Sequence, residues 1–413
     1  MKTPKPPAID IISAARCTGC GACEWVCPPK SITMELDRDG FYKPVVNRET
    51  CTDCGICQRP CPVIENEKET LTRGQWADPK VFGAWTKNDP VRLASSSGGI
   101  FSELAGDVLD AGGTVVGCVW DKDWTPAHIL TRSKADVERM RGSKYVPSRA
   151  DDVYKNVLQL LRTTKEPVLF SGAPCQVAAM AALLKPEWRK RVLLVDFICH
   201  GVPSLTVFRS YLKGLFHGEA VASYTFRDKA FHWQTVRAES VSGKRHHLPA
   251  KEDPFFIGFC GHHLYLMEAC HNCEFATLPR IADVTLADFW GCPPEWNDKR
   301  GVSLLLASSP QGLEALEKLE KANRIELKPT DPSTTGTRRQ LTGAGYPIPK
   351  ARRAFLDDIA RGLPFETVKN ARFPSRLDLW LNAFRQSDAK ISFLLQMVGR
   401  VVSRCWRKMP FLR

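Results

Sequence analysis

Two runs of four cysteines near the N-terminus share one spacing. The first run is Cys17-x2-Cys20-x2-Cys23-x3-Cys27-Pro28, and the second is Cys51-x2-Cys54-x2-Cys57-x3-Cys61-Pro62. In the bacterial two-cluster pattern, three thiolates of each run bind one 4Fe-4S cluster and the fourth binds the other cluster. The spacing therefore predicts one cluster on Cys17, Cys20, Cys23 and Cys61, and a second cluster on Cys51, Cys54, Cys57 and Cys27.

The same cysteines allow two other interpretations, zinc and disulfides. Zinc sites usually take two cysteines at each end of a finger rather than three in a row. A disulfide framework is disfavoured because the N-terminal segment, Met1–Pro7, lacks the apolar region of a signal peptide. Sixteen cysteines without such a peptide indicate a reducing, cytoplasmic compartment. We therefore expect a cytoplasmic protein whose clusters move single electrons.

The composition is that of a globular chain with a basic end. The 413 residues suffice for two or three domains, and no apolar stretch approaches the ~20 residues of a membrane-spanning helix. Of the net charge of +13, residues 350–413 contribute fourteen Lys/Arg against five Asp/Glu. A basic tail without a groove of interleaved aromatic residues disfavours nucleic-acid binding. The tail could instead attract an acidic ferredoxin, or it could simply be solvated.

Local patterns divide the chain into elements that would position these residues. Ile32–Leu36 and Phe41–Val46 predict a β-hairpin inside a two-cluster module at residues 8–66. Residues 67–80 are polar and predict a linker. The following domain is predicted in two parts, 81–165 and 166–335, and residues 336–413 predict a basic helical tail. The apolar run 391–398 in that tail could pack on its own domain, dock on a partner or lie on a membrane surface.

A small-residue turn precedes a predicted helix in the first part of this domain. Ser95-Ser-Ser-Gly-Gly99 leads into Ile100–Asp110, whose apolar residues have helical spacing, and Thr114–Trp120 predicts a buried strand. Backbone N–H groups at such a helix N-terminus can bind a phosphate. Capping of the helix by a serine is the alternative.

Four more cysteines fall at positions that suit a ligand site. Val168–Phe170, a helix at 176–184 and Val192–Ile198 predict two parallel strands joined by a right-handed crossover. Cys175 and Cys199 would then follow neighbouring strand ends, where open α/β sheets bind ligands. Together with the pair in Cys270-His-Asn-Cys273 they could hold a third 4Fe-4S cluster. Alternatively, Cys175 and Cys199 are buried apolar residues and the pair holds a disulfide or zinc.

The predicted fold class is α+β or α/β. It consists of a ferredoxin-like two-cluster module, an α/β domain with a mixed, partly parallel sheet and a helical basic tail. Further strands are predicted at 282–291 and 301–307, and a helix at 312–322.

Six motifs occur in an order that resembles a known family. They are Ser95–Phe101, Arg141–Val146, Phe170–Gln176, Asp196–Pro203, Phe226–Asp228 and Ala282–Gly291. Together they resemble the family of coenzyme F-420 hydrogenase/dehydrogenase β-subunits over roughly residues 80–310. The resemblance implies an FAD-containing iron–sulfur flavoprotein, an oxidoreductase with a flavin-binding α/β domain. Its substrate would be a deazaflavin or another organic acceptor or donor.

The resemblance also assigns roles to residues. It implies a flavin-binding turn formed by Ser96, Ser97, Gly98 and Gly99, with Lys144 and Tyr145 nearby. It implies that Cys175, Cys199, Cys270 and Cys273 bind a flavin-side cluster. His200, Asp196 and Asp288 are candidate proton-handling residues, although a strand-end Asp is as often a cap.

The chain departs from the family pattern in two places. Glu268-Ala269 precedes Cys270 where a basic residue is expected, and Cys292 replaces an aliphatic residue after Phe-Trp-Gly. Cys118, Cys260 and Cys405 match no motif and are predicted to be structural.

The predicted function is electron transfer between a ferredoxin or another redox protein and an FAD-served substrate, in either direction, with an oligomer as a possible assembly. A non-catalytic electron-transfer subunit of a larger complex is the main alternative. A zinc-stapled nucleic-acid-binding protein is the alternative from another class.

Overall fold

The computed structural model describes residues 4–71, 76, 78–229, 234–331 and 339–374. The strands are β1 Ile32–Leu36, β2 Tyr42–Val46, β3 Lys80–Thr86, β4 Thr114–Trp120, β5 Pro126–Thr131, β6 Val168–Ser171, β7 Val192–Phe197, β8 Val221–Asp228, β9 Thr235–Ser240, β10 Arg245–Pro249, β11 Val284–Asp288, β12 Ser303–Ala307 and β13 Ile325–Pro329.

The helices alternate with these strands through most of the chain. They are α1 Ala8–Arg16, α2 Ala22–Val26, α3 Pro62–Glu67, α4 Asp89–Ala94, α5 Ile100–Asp110, α6 Lys134–Met140, α7 Val153–Thr163, α8 Pro174–Leu183, α9 Pro186–Arg189, α10 Leu205–Leu215, α11 Pro254–Phe256, α12 Glu268–His271, α13 Pro310–Lys321, α14 Arg339–Thr342, α15 Arg352–Ala360 and α16 Phe365–Arg372. No helix within the described ranges is long and apolar enough to span a bilayer.

The two cysteine runs fold into similar loops on either side of a hairpin. β1 and β2 pair antiparallel, as predicted, with Ile32 opposite Val46. Gly21 and Gly55 follow the second cysteine of each run and have left-handed φ angles of 81° and 67°. Each glycine is the N-terminal cap of a short helix, because its lack of a Cβ permits the tight turn there.

An eight-stranded mixed sheet forms the centre of the molecule. Its strand order is β13-β3-β12-β11-β7-β6-β4-β5. The four strands β4, β6, β7 and β11 are parallel, and the other pairings are antiparallel. The prediction of a mixed, partly parallel sheet is therefore confirmed. Because β6 and β7 are parallel neighbours, Cys175 and Cys199 follow the same edge of the sheet.

Each face of the sheet has its own hydrophobic core. Leu193 and Val195 of β7 pack toward α5 and α13. The alternate residue Leu194 packs toward α7, α8 and the N-terminal module, whose Cys17 and Val63 belong to the same core. The cysteine-rich module therefore packs directly against the sheet.

A further core, which is aromatic, was not predicted from the sequence. The antiparallel sheet β8–β9–β10 packs with α10, α15 and α16. The largest fully buried side chains here are aromatic, among them Phe208, Phe226, Phe255, Phe355 and Phe365. Helices α15 and α16 belong to the predicted tail, so its beginning packs on the domain.

Basic residues at the beginning of the tail bind within the chain. Arg353 donates two hydrogen bonds of 2.6 Å to Asp39 of the N-terminal module, and Arg372 donates to Asp358 at 2.7 Å. The remainder of the predicted tail, with the run 391–398 and Cys405, lies outside the described residues. The domain boundaries stay predictions.

Candidate functional site

The structure brings the first three cysteines of the first run close to Cys61 of the second run. We call Cys17, Cys20, Cys23 and Cys61 the inner set. Burial, together with the neighbouring Cys61 and Cys17, raises the pKa of Cys20 to about 12. Cys23 likewise neighbours Cys20, Cys17 and Cys61. The fourth member thus comes from the second run.

The other four cysteines, Cys27, Cys51, Cys54 and Cys57, are called the outer set. Burial raises the pKa of Cys57, and the neighbouring Cys27 and Cys54 raise it further. Backbone N–H groups donate to two of these sulfurs at 3.3 Å, from Ala8 to Cys57 and from Ser31 to Cys27. Cys54 is exposed, so this set reaches the protein surface.

The four later cysteines also converge, although up to 98 residues separate them along the chain. We call Cys175, Cys199, Cys270 and Cys273 the sheet-end set. Cys175 neighbours each of the other three, and Cys270 neighbours Cys199 and Cys273. Burial, with the approach of Cys273, raises the pKa of Cys199 to about 12. The Gly201 N–H donates to the Cys199 sulfur at 3.4 Å.

Each of these sets offers four thiols, the number of ligands that a 4Fe-4S cluster takes. In the part of the chain that the structure describes, no three His, Cys, Asp or Glu side chains are close enough to hold one metal ion. A zinc ion draws its thiolates to about 2.3 Å from one centre. A 4Fe-4S cubane has its own irons and sulfides between the ligands, so its thiolates stand farther apart. Four neighbouring thiols fit the donor chemistry of such a cluster.

A cavity of about 1010 Å³ adjoins the sheet-end set. Cys175 and Cys199 line one side of it, and Ser96 and Gly99 of the predicted turn line another. Gly19 of the inner-set loop also reaches its wall. This volume lies at the upper end of the range for single-ligand pockets, so it can take a dinucleotide-sized molecule.

The serine–glycine turn begins α5, as predicted, but no serine caps that helix. Its N-cap residue is Gly99, with a φ of 85°, and no side chain caps the helix. Ser96 instead accepts a hydrogen bond of 2.8 Å from the Ser143 N–H, and Ser97 donates to the Val302 carbonyl at 2.8 Å. Gly98 lies behind the turn, where its N–H donates to Ser303 Oγ at 2.9 Å. No side chain therefore caps the first turn of α5, and Gly99 and Ile100 line the cavity.

Lys144 and Tyr145 both line the cavity. Lys144 Nζ donates to the carbonyls of Met140 and Arg141 at 3.2 and 3.1 Å, which fixes the loop after α6. Burial lowers the pKa of Lys144. The Tyr145 hydroxyl accepts a hydrogen bond of 2.9 Å from Arg227.

Asp288 and Arg227 form an ion pair in the same wall. Arg227 donates to Asp288 at 2.5 Å, and both side chains are largely buried. Arg227 was not among the predicted site residues, although its motif, Phe226–Asp228, was one of the six that carried the resemblance. Phe197 is the last residue of β7, and Trp290 lies two residues after β11. Both line the cavity and are 42% and 53% exposed. They place aromatic rings at its mouth.

His200 lies in the cavity wall within a polar network. Its Nδ1 is 3.2 Å from the Tyr346 hydroxyl, and its Nε2 is 3.1 Å from His263 Nε2. Burial, with a smaller contribution from His263, lowers the pKa of His200 to about 4.

The predicted proton-handling role of Asp196 does not agree with its position. Asp196 is not among the residues that line the cavity. It is 1% exposed and forms an ion pair with Arg280 at 2.5 Å. Burial raises its pKa, and Arg280 opposes that rise. Its contacts are those of a buried structural ion pair near the end of β7.

Two of the cysteines that matched no motif also line the cavity. These are Cys118 of β4 and Cys260. Neither belongs to the two N-terminal runs or to the cysteines predicted at strand ends. Burial raises the pKa of Cys118 to about 11 and that of Cys260 to about 12. Cys292 lies in the loop after β11 and is partly exposed.

Comparison with known families gives matches along most of the chain. A 4Fe-4S dicluster domain matches residues 16–64. The models for the N-terminal and C-terminal parts of the coenzyme F420 hydrogenase/dehydrogenase beta subunit match residues 81–155 and 165–333. The chain is therefore an iron–sulfur oxidoreductase, and it belongs to the family of coenzyme F420 hydrogenase/dehydrogenase beta subunits. The predicted family and two-cluster domain are confirmed.

Two individual proteins illustrate the similarity. An F(420)H(2) dehydrogenase subunit of Methanosarcina mazei is 26% identical over 310 residues, which cover 71% of this chain and 81% of that protein. A chain in the F420-reducing [NiFe] hydrogenase complex of Methanosarcina barkeri matches with 17% identity and a TM-score of 0.45. That match covers 73% of this chain and 94% of the other.

Proposed function

We propose that this protein is an iron–sulfur flavoprotein that exchanges electrons between a ferredoxin-type protein and a two-electron organic substrate. The observation that carries this proposal is a continuous series of cysteine sets from the surface to the cavity. When bound, three 4Fe-4S clusters would carry single electrons and an FAD would join them to two-electron chemistry. The chain's own residues hold these groups in order.

The order of the sets follows from their contacts. The outer set includes the exposed Cys54, where an external protein can approach. Cys57 of the outer set neighbours Cys61 and Cys23 of the inner set. Cys20 of the inner set neighbours Cys175 of the sheet-end set, which lines the cavity. Each set is therefore next to the following one.

The cavity has features that suit an FAD. The N-terminus of α5 presents backbone N–H groups and the positive end of a helix dipole, which attract a pyrophosphate. Arg141 and Lys144 line the same cavity and add positive charge. We assign Ser96, Ser97, Gly98, Gly99, Lys144 and Tyr145 to this binding region.

The second substrate would enter between the flavin region and the cavity mouth. Phe197 and Trp290 could stack on a planar ring there. Asp288 and His200 line the cavity in fixed orientations, and we propose that they hold or move the substrate proton. A deazaflavin is one such planar substrate, since the related Methanosarcina mazei protein is named an F(420)H(2) dehydrogenase subunit.

A second candidate function is that of an electron-transfer subunit without its own substrate. The observation that favours it is that this relative is named as a subunit. In that case the chain would assemble with other redox proteins, and turnover would need the assembled complex.

The composition of the purified protein tests the proposed function. Anaerobic purification of the full chain should give about twelve irons, from three four-iron clusters, and one FAD per chain. About eight irons with FAD would remove the sheet-end set from the cofactor ligands. Iron without flavin would favour the electron-transfer subunit, and zinc in place of iron would contradict the proposal.

Substitution of Gly98 by alanine tests the flavin-binding turn. A Cβ at residue 98 would lie 2.3 Å from the Ala84 carbonyl oxygen and 2.9 Å from the Ser303 nitrogen. Because both atoms belong to the sheet backbone, the turn must move. Overpacking of this kind costs about 1–3 kcal/mol, so the Kd for FAD should rise roughly tenfold. Titration of the flavin-free protein with FAD measures this Kd.

The matched control is Gly214→Ala in α10. A Cβ there would meet no atom within 4 Å. FAD affinity should stay at the wild-type value, and stability should increase by up to about 1 kcal/mol because alanine favours a helix. Unchanged FAD affinity in Gly98→Ala would exclude the turn from the flavin site.

A further inference from the structure

The inner set and the sheet-end set meet at a single junction between the N-terminal module and the sheet. Cys175 neighbours Cys20 of the inner set as well as the other members of its own set. The residues on the two sides belong to different elements, the loop before α2 and the first turn of α8. Their separation therefore depends on whatever fixes that loop against that helix.

Tyr154 occupies this junction. It is the second residue of α7 and is fully buried. Its hydroxyl donates to the Cys20 carbonyl at 3.1 Å and lies 3.5 Å from the carbonyl of Gln176, the residue after Cys175. The ring stacks on Phe170 of β6 with 5.8 Å between centroids. One side chain thus contacts the Cys20 loop, α8 and the neighbouring strand β6.

A second connection lies at the edge of the same junction. Arg16 and Asn66 of the module donate to Glu274 at 2.6 and 3.1 Å. Arg16 precedes Cys17, and Glu274 follows Cys273. The Arg16 and Glu274 side chains are 40% and 24% exposed, and water screens such pairs. The Tyr154 hydroxyl is buried, so water does not screen its hydrogen bond. It therefore fixes the junction more firmly than the Arg16–Glu274 pair does.

We propose that Tyr154 is a positioning residue that holds the inner set at electron-transfer distance from the sheet-end set. The inference rests on the proposed function, because it requires clusters on both sets. Clusters held by the two sets would exchange one electron in the transfer step, one being oxidised as the other is reduced. No bond breaks and no proton moves. Tyr154 acts by fixing the Cys20 loop and by filling the space between the sets.

Tyr154→Phe tests this role because it removes the hydroxyl and keeps the ring. The matched control is Tyr265→Phe, since Tyr265 is equally buried and its hydroxyl also donates to a backbone carbonyl, that of Phe255. Both full-length variants are purified anaerobically, assayed for iron and FAD, and reduced. Electron paramagnetic resonance then measures the spin–spin interaction between neighbouring reduced clusters, and stopped-flow absorbance measures reduction of the flavin.

The expected result is unchanged iron and FAD in both variants, with a weaker spin–spin interaction only in Tyr154→Phe. Flavin reduction in that variant should slow by about threefold to tenfold, the factor that one net hydrogen bond provides. Wild-type spin–spin interaction in Tyr154→Phe would overturn the inference alone. Loss of iron only in Tyr154→Phe would assign the residue to cluster retention and would also overturn it. Eight irons with FAD in the wild-type protein would remove the cluster from the sheet-end set and overturn the inference, whereas zinc in place of iron would overturn the proposed function itself.

Discussion

Replacing Cys175 by serine should lower the iron content from about twelve to about eight atoms per chain. Cys175 neighbours all three other members of the sheet-end set, and it also neighbours Cys20 of the inner set. A serine hydroxyl at this position is a far weaker ligand than a thiolate. Electrons from the N-terminal clusters would then have no cluster in the sheet-end set through which to reach the cavity. Reduction of the flavin by a ferredoxin-type donor should fall at least about a hundredfold, in line with loss of a metal ligand environment.

The control for this variant is Cys118→Ser. Cys118 lines the same cavity and is mostly buried, but it lies in β4 and belongs to none of the three sets. Its replacement should leave twelve irons and near-normal flavin reduction. Iron analysis and stopped-flow reduction distinguish the variants. Twelve irons in Cys175→Ser would mean that the sheet-end set binds no cluster.

The Asp196→Asn variant should lose about 3 kcal/mol of unfolding free energy and retain its cofactors. Asp196 and Arg280 are 1% and 2% exposed and form an ion pair at 2.5 Å. An asparagine keeps the size of the side chain but leaves the buried guanidinium without a compensating charge. Breaking such a pair on one side typically costs about 3–5 kcal/mol. Anaerobic denaturant unfolding of the holoprotein measures the loss.

This measurement separates a structural role of Asp196 from the catalytic role that its place in the sequence suggested. Asp107→Asn is the control, because Asp107 pairs with Lys318 at the surface, where a pair contributes at most about 1 kcal/mol. If Asp196→Asn kept wild-type stability and lost only turnover, Asp196 would be a proton-handling residue after all. We expect stability to fall and flavin reduction to persist in the folded fraction.

The cysteine chemistry and most central elements could be read from the sequence because their signals are local. A three-residue spacing places thiolates of one loop around one cluster, and α5 at Ile100–Asp110 and β4 at Thr114–Trp120 have the predicted bounds. Apolar periodicity and the glycines that end a helix act over a few residues. The same kind of signal placed Cys175 and Cys199 at neighbouring strand ends.

Other features depend on residues that are far apart in the chain and have no shared local pattern. The pairing of Arg227 with Asp288 and Tyr145 is of this kind, as is the contact of Tyr154 with Cys20 across 134 residues. The aromatic core around β8, β9 and β10 was missed because its strands are partly polar and partly exposed, so no regular apolar pattern marks them.

Asp196 shows the limit of sequence patterns most clearly. Its position near a strand end indicated the cavity, yet alternation along β7 turns its side chain toward Arg280. The sequence by itself therefore determined the family, the two N-terminal cluster motifs and the mixed sheet. Only the tertiary structure decided which acidic side chains reach the cavity and that Tyr154 contacts Cys20, because long-range packing sets both.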